Sequence, residues 1–145
     1  MDNIDNLFEK GIALLEEKLY NDAIKCFDEV IELNPNSAES YNFRGIAKGY
    51  AASGYSEKYI DVVEDFNKTI ELSPNEAILY NNRGLANMLL GDYISAIKDY
   101  NKSIELGNTD ISSYDICIDA YKLLNDFEGA KKMEDRKNVA FNLSD

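Results

Sequence analysis

Glu32-Leu33-Asn34-Pro35-Asn36 and Glu71-Leu72-Ser73-Pro74-Asn75 are the two stretches whose reading decides the fold. Each closes a run of helical patterning. Each is followed within six residues by nearly the same phrase, Tyr41-Asn42-Phe43-Arg44-Gly45 and then Tyr80-Asn81-Asn82-Arg83-Gly84. Proline lacks the amide donor that a helix interior needs and pushes the preceding residue out of αR geometry, so both phrases read as helix stops. A third phrase, Glu105-Leu106-Gly107-Asn108, keeps the place but has lost the proline. Recurrence at roughly 30–40 residues predicts a repeat array.

Outward from the stops, Ile4, Leu7, Phe8, Ile12, Leu15 and Leu19 recur at three- and four-residue steps and predict an amphipathic helix from Ile4 to Lys18. After a break at Lys18 to Asn21, Ala23, Ile24, Phe27, Val30, Ile31 and Leu33 predict a second helix. Asn36 with Glu39 three residues on reads as a capping box that opens the next one. One unit is therefore helix, tight turn, helix, stop. Gly11, Gly45 and Gly84 stand in register inside first helices, where glycine costs up to ~1 kcal/mol against alanine. A close crossing of the two helices, with Ala23 opposite Gly11, is the expected reason.

Gly11, Tyr20, Ala23, Phe27 and Pro35 in the first unit, with Tyr80, Gly84, Gly91-Asp92-Tyr93, Ala96 and Tyr100 in the third, resemble the signature of the tetratricopeptide repeat. The resemblance covers nearly the whole chain. It implies an all-α fold, a right-handed superhelix (α-solenoid) of stacked antiparallel helix hairpins forming a single domain over 1–145. The implied repeats are 4–37, 38–76, 77–110 and a degenerate capping repeat 111–144. The second repeat departs from the pattern: Gly45 to Tyr59 spans 14 residues where Gly84 to Tyr93 spans nine. Five residues are thus inserted near 51–58, expected as a longer first helix and a longer turn bearing an exposed Tyr55. Lys48 and Asn87 stand where the family usually has a large apolar residue. In the fourth repeat Cys117-Ile118 replaces Arg-Gly, and Asn125 with Glu128 is expected to cap the last helix. Lys131, Lys132, Arg136 and Lys137 on that helix are expected to form a solvated face suited to an end cap.

The resemblance further implies a concave binding surface lined by first helices. By register that surface carries Phe8 and Ile12, then Asn42, Phe43 and Ile46, then Ile78, Asn81, Asn82 and Leu85, with Asp5, Glu9 and Glu39 among the flanking charges. The implied function is a protein–protein interaction module that binds a peptide or protein segment in this groove as an adaptor or scaffold. Asn42, Asn81 and Asn82 each offer a donor and an acceptor to an extended peptide backbone. Relatives that grip the C-terminal Glu-Glu-Val-Asp of cytosolic chaperones use a cationic clamp. The five corresponding places here are Phe8, Ile12, Phe43, Ile78 and Asn82, none of them cationic, so that tail is not an expected partner. The first forty residues hold ten carboxylates against three lysines, a net of −7. The expected partner has apolar anchors and basic flanks. The alternative is a self-associating structural array that uses the apolar concave strip or the 51–58 insertion as a homo-oligomer contact.

Composition narrows the remaining classes. A formal charge of −12 over 145 residues argues against nucleic acid and against anionic membrane surfaces. No window approaches the ~18 apolar residues of a membrane span, and the N-terminus lacks the pattern of a signal peptide. Cys26 and Cys117 fit no metal spacing and read as two buried thiols, consistent with a cytoplasmic setting. Histidine is absent, and there is neither a metal motif nor a phosphate-cradling glycine loop. No cofactor, no metal and no enzymatic activity are expected.

Overall fold

The computed structural model describes residues 3–54 and 56–143. Among the described residues there are eight α-helices and no strand: α1 (Asn3–Glu16), α2 (Tyr20–Leu33), α3 (Ala38–Ala52), α4 (Tyr59–Leu72), α5 (Ala77–Leu90), α6 (Tyr93–Glu105), α7 (Ile111–Leu123) and α8 (Phe127–Phe141). A short 3₁₀ turn, Ser56–Lys58, precedes α4. Successive helices pair as four hairpins, as expected, and α3 also packs on α2 and α7 on α6. The hairpins are distributed over two compact units, Met1–Asn75 and Glu76–Asp145, two to each. No helix among the described residues is long and apolar enough to cross a membrane.

In the first unit Ala23, Phe27 and Ala47 are buried together, with Phe8, Ile12 and Phe43 half-buried around them. In the second, Ala96, Tyr100, Tyr114, Cys117, Ile118, Ala130 and Met133 form the core. The glycines in register do serve close approach, but their partner is an aromatic ring. A β-carbon at Gly11 would stand 2.7 Å from the ring of Phe27, and one at Gly45 or Gly84 would stand 3.1 Å from Phe66 or Tyr100. The ring of Phe27, rather than Ala23, closes on Gly11.

Helix ends depart from the sequence reading in detail. The α3 cap is Ser37, not Asn36: the Ser40 amide donates to Ser37 Oγ at 3.3 Å, and the two hydroxyls lie 2.8 Å apart. Helix α3 starts later than the capping-box reading required, so Ser40 takes the position assigned to Glu39. Likewise Asp126, not Asn125, caps α8 by accepting from the Gly129 amide at 2.8 Å. Asn125 instead adopts a positive φ of 58° where α7 ends, and the Asp126 amide donates to the Tyr121 carbonyl at 2.9 Å. The insertion lies mostly in the connection. Helix α3 has 15 residues against 14 in α5, while the connection runs over 53–58 instead of 91–92. Tyr55 lies outside the described residues.

The third closing phrase uses a different device from proline. Gly107 has φ 94°, and the Asn108 amide donates back to the Ser103 carbonyl at 3.0 Å, a left-handed helix stop. At the proline's place, Asn108 Nδ2 reaches Ser103 Oγ at 3.0 Å and Ser113 Oγ at 2.8 Å, joining α6 to α7. The last helix is not a simple solvated face either. Lys137 pairs with Asp115 at 3.0 Å and is largely covered, and Arg136 donates to Asn101 Oδ1 at 2.6 Å.

Both cysteines are buried and free. Burial pushes the Cys117 thiol up to about 12, far from a reactive thiolate at neutral pH. Tyr100 is fully buried, and its hydroxyl is the one buried side-chain polar atom without a hydrogen-bond partner among the described residues. An orphaned buried hydroxyl costs about 1–3 kcal/mol, and the equivalent places in the first two repeats hold Phe27 and Phe66. Tyr100→Phe is therefore expected to raise the unfolding free energy by about 1 kcal/mol in urea titrations. A loss of stability would show that the hydroxyl is satisfied in solution.

Candidate functional site

The phrase Tyr-Asn-x-Arg-Gly recurs because it builds the hairpin. Arg83 forks onto Asp99 of α6, with Nε to Oδ2 at 2.9 Å and a terminal nitrogen to Oδ1 at 2.6 Å. Arg44 repeats this on Asp65 of α4, at 3.0 and 2.5 Å. Each guanidinium also lies over the tyrosine three residues earlier, 5.3 Å from the Tyr41 centroid and 5.7 Å from that of Tyr80. Arg44 additionally binds Asp28 Oδ1 at 2.6 Å, tying α3 to α2. Burial works against the Arg44 charge, but the hydrogen bonds to Asp65 and Asp28 outweigh it and hold the group protonated.

Lys48 and Asn87, out of place by the family pattern, are the third members of these networks. Lys48 Nζ lies 2.9 Å from Asp65 Oδ2, and Asn87 Nδ2 donates to Asp99 Oδ2 at 3.0 Å. A polar residue is needed there because the carboxylate beneath is buried and has lone pairs to satisfy. Sequence reasoning missed these networks. The available signal was Asp65-Phe66 and Asp99-Tyr100 recurring in step with the two Arg-Gly pairs.

The expected binding residues fall into two kinds. Phe8 and Phe43 meet edge-to-face at 5.7 Å and both rest on Phe27, at 5.8 and 6.0 Å. With Ile12 they form the half-buried rim of the first core. Ile46 and Asn42 on α3 are also half-buried. Asp5, Glu9 and Glu39 are exposed nearby and take part in no ion pair among the described residues. On α5, Ile78 is 57% exposed and Leu85 44%, with half-buried Asn82 between them on the same helical face. Asn81 is turned to internal use: its Oδ1 accepts from Ser113 Oγ at 2.7 Å. The first unit thus offers an aromatic surface beside unpaired carboxylates, and the second an aliphatic strip with a carboxamide in its middle.

The family model for the tetratricopeptide repeat matches residues 5–37 and 77–108. Among solved structures, a crystal structure of MamA is similar at a TM-score of 0.85 and 24% identity, covering 95% of this chain and 78% of that one. MamA 41-end from Desulfovibrio magneticus RS-1 is similar at 0.83 and 20%, covering 99% and 78%. The first tetratricopeptide-repeat domain of Spaghetti (RPAP3), bound to the HSP90 peptide SRMEEVD, is similar at 0.76 and 22%, covering 84% and 93%. At these identities the likeness shows the fold, an α-solenoid of helix hairpins. Comparison with curated proteins finds no match.

Removing one partner of a buried ion pair costs about 3–5 kcal/mol, because the other charge stays buried. The Arg83 side chain is 22% exposed, which favours the lower end. Asp99→Ala should therefore destabilise by about 3 kcal/mol. The double variant Arg83→Met, Asp99→Leu should recover much of that loss. Equal losses in the single and double variants, read by urea denaturation, would contradict the fork as the cause.

Proposed function

The chain carries tetratricopeptide repeats, and from that premise we propose a non-catalytic protein-interaction module, an adaptor or scaffold. It binds a peptide or protein segment on the first-helix faces of its hairpins. The observation that carries this reading is the strip on α5, where Ile78 and Leu85 stay exposed around Asn82. Burying the half of each aliphatic side chain that is still exposed gives a partner about 1 kcal/mol each, while a carboxamide between them can pair with a peptide backbone. In the first unit Asn42 and Ile46 stand with Phe8, Ile12 and Phe43, and Asn81 and Asn82 take part in the second.

The partner we infer has apolar anchors and basic flanks. Asp5, Glu9 and Glu39 supply a negative rim to an apolar surface, and such a field speeds encounter with cationic segments. A carboxylate-terminated peptide would need cations here. The cations nearest to hand, Arg44, Lys48 and Arg83, are engaged with Asp65 and Asp99. We therefore separate this module from the Glu-Glu-Val-Asp tail, and read it as acting in a reducing, cytoplasmic setting on the strength of its two buried thiols.

Selection from a random peptide library displayed on phage tests the reading. The expected outcome is enrichment of Leu or Phe beside Lys or Arg, with affinity falling as salt rises from 50 to about 500 mM. Ile78→Ser with Leu85→Ser should weaken the selected peptides at least about tenfold without changing helicity. These exposed positions are better probes than Phe43, whose loss also opens the core. Binding of SRMEEVD at micromolar affinity, or enrichment of acidic peptides, would overturn the partner chemistry.

A further inference from the structure

We propose that the ring pair of the first unit is an arginine site, where a partner's guanidinium lies over Phe8 and Phe43 between Asp5 and Glu39. The inference deepens the adaptor reading and rests on its first-helix faces being the binding surface. Asp5 and Glu39 stand at one register position, six residues before Gly11 and Gly45. Phe8 lies three residues after Asp5 on α1, and Phe43 four residues after Glu39 on α3. Each ring therefore shares a helix face with its carboxylate. α1 and α3 both pack on α2, which runs back between them, so they point the same way. The rings meet edge-to-face at 5.7 Å, which joins the two faces. Asp5 and Glu39 thus flank one aromatic pair from the same side, a turn nearer the helix starts. Glu9, four residues after Asp5, borders it along α1.

Charge selects the occupant. Asp5, Glu9 and Glu39 are exposed and pair with no cation among the described residues. The cations of α3 are engaged elsewhere, Arg44 with Asp28 and Asp65 and Lys48 with Asp65. An aliphatic anchor laid on the rings would strip water from these carboxylates without replacing it, which costs free energy. An acidic segment would be repelled. A cation gains twice, because ring faces are electronegative and the carboxylates carry full charges. Phe8 and Phe43 are half-buried, so part of each ring is open to it. At the same register position the second unit carries the exposed Ile78, so its strip suits an aliphatic side chain and the two surfaces read different residues.

The protein's own packing shows why that cation is arginine. Arg44 lies 5.3 Å from the Tyr41 centroid while its edge donates to Asp65 and Asp28. One planar group meets a ring with its face and two carboxylates on neighbouring helices with its edge. The proposed site holds the same parts, an aromatic surface with a carboxylate on each of two neighbouring helices. A lysine ammonium is a compact, strongly hydrated charge without the fork, so it can use the rings or the carboxylates but not both at full strength.

N-acetylarginine amide, N-acetyllysine amide and N-acetylcitrulline amide, each titrated into the isotope-labelled full chain at about 50 mM salt and followed by amide NMR, test the site. Shifts from the arginine probe should cluster around Phe8 and Phe43 and saturate with a Kd on the order of 10 mM. The lysine probe should bind at least about threefold more weakly, and the neutral citrulline probe should give no saturating shift. Asp5→Asn with Glu39→Gln should weaken the arginine probe at least about fivefold. Glu16→Gln with Glu17→Gln, the same loss of charge at the far end of α1, should leave its affinity within about twofold. Equal binding of arginine and lysine, saturating binding of citrulline, shifts centred away from the rings, or equal effects of the two double variants would each overturn the proposal. Library-selected peptides that lose binding with Ile78→Ser and Leu85→Ser would in that event keep the adaptor reading and remove only the arginine site.

Discussion

The buried fork between Arg83 and Asp99, repeated by Arg44 and Asp65, sets the geometry on which the inner hairpins depend. A guanidinium and a carboxylate meet in two parallel bonds only at one separation and one orientation. The residue after each arginine is a glycine, and the residue after each aspartate is an aromatic that presses on that glycine. Fork and contact are thus locked in one register along the two helices. Sliding either helix by a residue would break both. The energetic gain is modest, because desolvating the charges offsets much of their attraction. The gain lies in uniqueness of pairing.

The last hairpin solves the same packing problem without charge, and the first keeps only an exposed lysine, Lys10, at the arginine place. Cys26 stands where Asp65 and Asp99 stand, while Cys117 and Met133 occupy the arginine and aspartate places of the last hairpin. All three are buried. A buried ion pair can be exchanged for apolar residues of similar volume at little cost, and this chain carries both versions side by side. The two cysteines therefore read as packing residues.

The hairpins and their stops were legible because proline, glycine and the apolar period act locally. Leu33 and Leu72 end their helices one step before the expected breaks. The caps were less legible: serine and aspartate compete for the role within a residue or two, and only the start of each helix decides between Asn36 and Ser37 or Asn125 and Asp126. The Arg–Asp networks were hidden for a different reason. Arg44 and Asp65 are 21 residues apart, and Arg83 and Asp99 are 16 apart, so no local pattern connects them. Lys48 and Asn87 looked like faults in the apolar pattern until the carboxylates beneath them were placed. Of the surface residues, Ile78 and Leu85 could be read as exposed by helical phase. That Phe8 and Phe43 share a ring cluster with Phe27 depends on tertiary packing.

Asn81 shows how a family word changes meaning with its surroundings. Asn42 and Asn81 occupy the same place in the two phrases, yet Asn81 lies beside a repeat junction closed without proline. There Asn108 and Ser113 need acceptors, since their donors are buried between α5, α6 and α7. The Asn81 oxygen supplies one. Its carboxamide is thereby fixed in one orientation, with the oxygen spent inside the unit and only the Nδ2 donor left to offer a partner. A peptide read by this face would present a carbonyl to Asn81, whereas Asn82 sits one step closer to the exposed Ile78–Leu85 strip. The polar junction at Asn108 and the constraint on Asn81 are therefore one network: the side chains that close the α6–α7 turn without proline occupy half of a neighbouring carboxamide.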